Sequence, residues 1–135
     1  MSHASSVRAL RGATTVEPGV APPTDAARDA TQDLLRTLLE VNGLTVSDVV
    51  SAIFTLTPDL YEAAPARAAR EGGWHEVPMI TASEAPAEHS LARCIRVLVH
   101  VETARPRSAM RHVYLHGARV LRPDLVDELP RGHES

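Results

Sequence analysis

Residues 94–101 read CIRVLVHV, a run of small and β-branched residues with an arginine at its third position. Strand alternation places Ile95, Val97, Val99 and Val101 on one face and Cys94, Arg96, Leu98 and His100 on the other. The first face is core. The second is half polar and holds a guanidinium that keeps its charge at every relevant pH. Taking that charge out of water unpaired costs several kcal/mol or more, so something anionic should meet it. The partner is either a carboxylate of the chain, with Glu84 a candidate, or a ligand absent from the sequence. Two further readings stay open: the polar face is solvated, or another subunit covers it and leaves a pocket for a small anion at the seam.

The flanking segments define a mixed α+β domain. VRALR (7–11) reads as a short strand, and GATTVEPGVAPP (12–23) as a turn-rich connection. Thr24 has the character of an N-cap for a helix that runs to about Asn42 and stops at Gly43, with Ala27, Ala30, Leu34, Leu38 and Val41 at helical spacing. Ser47 and Asp48 can start a single helical turn. VVSAIFTL (49–56) is a second strand, ended by Thr57-Pro58. A short helix follows from Pro65 to about Arg70, with a glycine stop. WHEVPMIT (74–81) is a third extended piece, which Pro78 confines to an edge or a bulge. The long strand is RCIRVLVHVET (93–103), and residues 106–125 hold a turn of helix and one or two more strands. In RHVYLHG, Val113 and Leu115 face inward, while His112, Tyr114 and His116 face the other way. Residues 1–6 are expected to be a disordered extension, 7–125 a single domain, and 126–135 a flexible tail.

Composition narrows the function classes. The chain has 135 residues, 44% apolar and 23% charged, enough for one domain with one core. Aromatics make up 3%, so Ala, Val, Leu and Ile must build that core. All 14 basic residues are arginine, against 17 acidic ones, for a net charge of −3. That balance argues against a general nucleic-acid or membrane surface, so any positive site is local. The single cysteine, Cys94, excludes an internal disulfide and suits a reducing compartment. With neither a signal-peptide core near the start nor a transmembrane run later, the expected location is cytoplasmic. His112 and His116 have a metal spacing only if their segment is helical, which the β-prone V-Y-L between them opposes. A cysteine inside a strand is more often a small buried hydrophobe than a nucleophile.

RGATTVE near the start, TPDL before APARAARE, then CIRV, RHVYL and VLRPDL occur in that order. Together they closely resemble the monofunctional chorismate mutases of the trimeric Bacillus type, from Val7 to Leu125. The resemblance implies a mixed β-sheet packed with helices, assembling as a trimeric pseudo α/β barrel with active sites in clefts between subunits. It implies conversion of chorismate to prephenate without metal or cofactor, on the way to phenylalanine and tyrosine. By position, Arg96 matches the arginine at the ether oxygen of the breaking bond, and Glu84 the carboxylate that accepts a hydrogen bond from the ring hydroxyl. Arg11 and Tyr114 match groups that hold the enolpyruvyl carboxylate. Arg70 matches a cleft arginine, Arg67 a basic residue near the mouth, and Leu121 and Arg122 the approach to the C-terminal tail. Thr81 stands where some relatives carry cysteine. Ala64 stands where relatives often carry phenylalanine, which implies a looser pocket wall. The rival readings are a trimeric imine deaminase and a non-catalytic protein that binds a carboxylated metabolite. A deaminase would need a positioned water and a simpler carboxylate clamp, and a direct chorismate assay separates all three.

Overall fold

In a computed structural model of the chain, residues 4–19, 23–60, 62–85 and 91–121 are described. They include five strands and two α-helices: β1 (Ser6–Thr15), α1 (Pro23–Val41), β2 (Val49–Leu56), α2 (Pro65–Glu71), β3 (Met79–Ser83), β4 (Cys94–Thr103) and β5 (Val113–Tyr114). The sheet order is β3-β2-β4-β1-β5. β4 runs antiparallel to both β1 and β2, while β3 and β5 pair in parallel with β2 and β1 at the two edges. CIRVLVHV therefore lies at the centre, and Pro78 stands just ahead of an edge strand. The proline carbonyl still joins the ladder, accepting from the Ala52 N–H at 3.1 Å.

The two faces of β4 have different fates. Ile95, Val97, Val99 and Val101 are buried with Leu10 and Phe54 under Leu34 and Leu38 of α1 and Ala69 of α2. On the other side, Arg96 is exposed and Leu98 and His100 are half-buried, with exposed Ile53 and Ile80 beside them. Among the described residues, α1 and α2 both cover the same face of the sheet.

Three local expectations change. β1 does not stop at Arg11 but continues through Gly12 to Thr15. The glycine serves a close approach here, not a turn: a Cβ at Gly12 would lie 3.2 Å from Leu34 Cδ1 and 3.3 Å from Val97 Cγ1. α1 begins at Pro23, so Thr24 lies inside its first turn and is not the cap. At the other end Gly43 adopts φ +65°, and the Leu44 N–H returns to the Leu39 carbonyl at 2.9 Å, the closure that stops a helix at glycine. In WHEVPMIT only the end is strand. Trp74 to Val77 form a turn closed by a 3.1 Å bond from the Val77 N–H to the Trp74 carbonyl, and Trp74 sits in the core. β1 takes in Ser6 from the stretch read as a disordered extension, and residues 126–135 lie outside those described.

Candidate active site

Sheet register, more than sequence proximity, assembles the site. Ala82 lies beside Thr55, Thr55 beside Arg96, Arg96 beside Ala13, and Ala13 beside Tyr114, so one row crosses all five strands. Residues paired across strands share a face, which here is the one opposite α1 and α2. Arg96 and Tyr114 are two strand spacings apart, about 9–10 Å between backbones. Arg11 stands two residues along β1 from Ala13, about 7 Å from that row on the same face.

Glu84 continues the β3 line, its N–H bonded to the Leu56 carbonyl at 2.8 Å. Its carboxylate turns onto the row. Glu84 Oε2 accepts from Arg96 Nε at 3.0 Å and from the Thr55 hydroxyl at 2.6 Å. The internal salt bridge left open from the sequence is therefore present. It does not bury the guanidinium, whose side chain is 45% exposed against 20% for Glu84. Arg96 has five N–H donors in a rigid fork, and Glu84 is its only carboxylate partner among the described residues. The fork can therefore hold Glu84 with one side and meet an incoming anion with another.

Tyr114 faces opposite Val113, as alternation predicts, but it is buried, packed in a small cluster with Ala13, Cys94 and Ala118. Leu91 and Leu121 pack against that cluster. Leu121 thus borders the tyrosine, while Arg122 lies outside the described residues. Ala13 keeps the floor between Arg96 and Tyr114 low.

Two turn side chains fix the start of β4. The Thr57 hydroxyl accepts from the Cys94 N–H at 2.9 Å and donates to Asp59 Oδ1 at 2.5 Å. Asp59 Oδ2 accepts from the Arg93 N–H at 2.9 Å, and Arg93 itself sits at φ +54°. Its side chain spans to the Val16 and Glu17 carbonyls at 2.8 and 3.0 Å, which secures a backbone conformation that otherwise costs about 1–3 kcal/mol. The TPDL turn therefore anchors the strand two residues before Arg96. Strand patterning along the sequence reads it as a strand stop, and the resemblance uses it as a motif without a role. Thr55 was also missed, because its value lies in a register with Arg96 that composition cannot reveal.

The other expected site residues stand elsewhere in one chain. Arg67 and Arg70 are exposed on α2, in the layer on the opposite face of the sheet. Arg67 pairs with Glu71 at 3.3 Å and, with Ala64, lines a concavity of about 310 Å³. Thr81 pairs with Phe54, so the pleat directs it to the helical side, away from Arg96. Two further concavities, of about 490 and 410 Å³, flank α1 and do not include the Arg96 row.

Burial pushes the Cys94 thiol up to about 11, while the Arg96 charge pulls the other way. At neutral pH the group is a protonated hydrophobe. Against an ordinary value of 9.0, the folded chain should show about 100-fold less thiolate than the unfolded one, and stopped-flow labelling with an uncharged thiol reagent at pH 8 should show at least that protection. The folded state retains a proton that the unfolded state has lost between pH 9 and about 11. Stability from this group is therefore intact below pH 9 and declines as pH rises through that window. Between His112 and His116 the chain is extended through Val113 and Tyr114, which is not the helical turn that would bring the two imidazoles together.

Comparison with known proteins points the same way. The family model described as chorismate mutase type I matches residues 7–125. The chorismate mutase AroH of Thermus thermophilus is 47% identical over 120 residues, 88% of this chain and 96% of that protein. The Bacillus subtilis chorismate mutase AroH is 41% identical over 120 residues, 88% and 92% of the two chains. A solved chorismate mutase from Clostridium thermocellum superposes with a TM-score of 0.77 at 45% identity, covering 83% of this chain and 97% of the other. A match over nearly all of each partner, on a sheet whose central arginine is held by a carboxylate, places the chain in the type I chorismate mutase family.

Proposed function

We propose that the protein converts chorismate to prephenate by a Claisen rearrangement, in clefts formed between the subunits of a homotrimer. The observation that carries this reading is Arg96 at the centre of the sheet, held by Glu84, which is itself bonded by Thr55, with guanidinium donors left over. The rearrangement breaks a C–O bond as a C–C bond forms within one molecule, so no nucleophile or electron carrier takes part. The catalyst must instead fold a dianion into a chair-like shape and stabilise the charge that grows on the ether oxygen.

Arg96 supplies that second effect. Its contact with the oxygen strengthens as the bond stretches, so it favours the transition state over bound substrate. Glu84 holds the arginine through Oε2 and can receive the substrate's ring hydroxyl. Arg11 and Tyr114 grip the enolpyruvyl carboxylate, and this clamping supplies the orientational part of the barrier reduction. Leu121 borders Tyr114, and Arg122 extends that side towards the tail.

The trimer explains why one chain divides the family's groups between two layers. Arg67, Arg70 and Thr81 cannot join the Arg96 row from the helical side of the same sheet. They join it when a neighbouring subunit presents that side to the cleft. Ile80 and Val7, 63% and 54% exposed, and half-open Ile53 give the face opposite α1 and α2 the apolar surface a subunit contact needs. Light scattering should return three times the 14.6 kDa chain mass. We also place the enzyme in the cytoplasm, where the unpaired Cys94 stays reduced. Among the described residues no helix is long and apolar enough to cross a membrane.

The direct test is loss of chorismate absorbance with formation of prephenate; a purified trimer that leaves chorismate unchanged would refute the reading. Thr55→Val should lower kcat/KM about ten- to a hundredfold, since it removes a bond of about 1.5–3 kcal/mol to the Glu84 carboxylate without changing side-chain shape. Steady-state kinetics checks that value.

A further inference from the structure

The edge strand β5 carries Tyr114 and is only two residues long, in contrast to the ten paired residues that lock β1 to β4. Backbone pairing between β1 and β5 covers Gly12 with Val113 and Ala13 with Tyr114, followed by a 2.9 Å bond from the Leu115 N–H to the Ala13 carbonyl. Side chains extend this short ladder. His112 Nδ1 accepts from the backbone N–H of Arg11 at 3.0 Å, where a longer strand would offer a carbonyl. One residue earlier, the Asn42 amide grips the main chain of Arg111 twice: Oδ1 accepts from its N–H at 2.8 Å, and Nδ2 donates to its carbonyl at 2.9 Å. Asn42 is 1% exposed and also donates to the Leu38 carbonyl at 2.7 Å, so the brace is anchored in α1.

We propose that His112 is a positioning residue for substrate binding, its Nδ1 setting the spacing between Arg11 and Tyr114 by bonding the Arg11 backbone. The inference rests on the reading that these two groups hold one carboxylate of chorismate. A ligand gripped from two strands requires those strands to keep their separation, and shifts of about 1 Å in such clamps are costly. Accepting a backbone N–H also specifies the imidazole's form. Nδ1 carries a lone pair there, so the ring is neutral with its proton on Nε2.

His112→Ala should raise KM for chorismate five- to tenfold while kcat changes less than threefold, because Arg96 and Glu84 stay in place. His112→Asn, whose side-chain oxygen can occupy the Nδ1 position, should bring KM back to within about twofold of wild type. In the wild type, nitrogen-15 NMR should show an unprotonated, hydrogen-bonded Nδ1, and amide exchange at Arg11 should accelerate in His112→Ala and slow again in His112→Asn. A general loss of stability would lower kcat and KM performance in both variants without this split. Unchanged KM in His112→Ala, equal KM values in the two variants, or a protonated Nδ1 in the wild type overturns the proposal. A wild-type chain with the NMR signature but no chorismate turnover overturns the functional reading, and the positioning role with it.

Discussion

Arg96→Ala is expected to lower kcat for chorismate by two to three orders of magnitude while the protein remains folded. The rate follows from losing a fixed cation at the oxygen where charge develops, a change worth about 3–4 kcal/mol in comparable sites. Stability should hold because the Arg96–Glu84 pair is only half-withdrawn from water, and ion pairs of that exposure contribute about 0–1 kcal/mol. A melting temperature within a few degrees of wild type, measured beside the kinetics, separates the two effects. Arg96→Lys should recover little. A single ammonium placed to reach Glu84 Oε2 has no second rigid prong for the ether oxygen, whereas the guanidinium meets both with fixed geometry. Glu84→Ala should also be impaired, since it frees the arginine to rotate and removes the acceptor for the ring hydroxyl. Near-normal turnover in Arg96→Ala would mean that substrate folding alone accounts for the acceleration.

What the sequence disclosed about this site depended on the range of the interaction. The alternation in CIRVLVHV reports faces, because period two is local, and it separated Val97 and Val99 from Arg96 correctly. The Pro65 helix start and the Gly43 stop are local chemistry and appear where expected. Gly12 misled because glycine ends a strand in one context and admits a helix in another; only the distance to Leu34 decides between them. Thr55, Thr57 and Asn42 act through partners 29, 37 and 69 residues away, and no pattern along the chain records such pairings. Tyr114 lies on the anticipated side, and it is buried there because Ala13, Cys94 and Ala118 provide a second small apolar cluster. The resemblance to chorismate mutases named residues that strand alternation could not have selected, Glu84 foremost. In the fold its carboxylate reaches across β2 to the arginine of the central strand.

Because one chain holds Arg96 and Arg70 on different sides of its sheet, two inactive variants should repair each other. Arg70→Ala, like Arg96→Ala, is expected to lose about two orders of magnitude in kcat/KM, the cost of removing a cation from a desolvated carboxylate contact. In the proposed trimer each cleft takes its Arg96 face from one subunit and its α2 from the next. If the two variants are unfolded together in equal amounts and refolded, subunits mix at random in a closed ring. A cleft is intact only when the subunit giving the sheet face carries Arg70→Ala and the subunit giving the helix carries Arg96→Ala. Each condition holds for half of the subunits, so about a quarter of all clefts recover both arginines. The mixture should therefore reach about 25% of wild-type activity, far above either parent. Mixing the folded proteins without denaturation should yield no such gain until subunits exchange. Were both arginines drawn from a single chain, every cleft in the mixture would still lack one of them, and activity would stay at the average of the two parents.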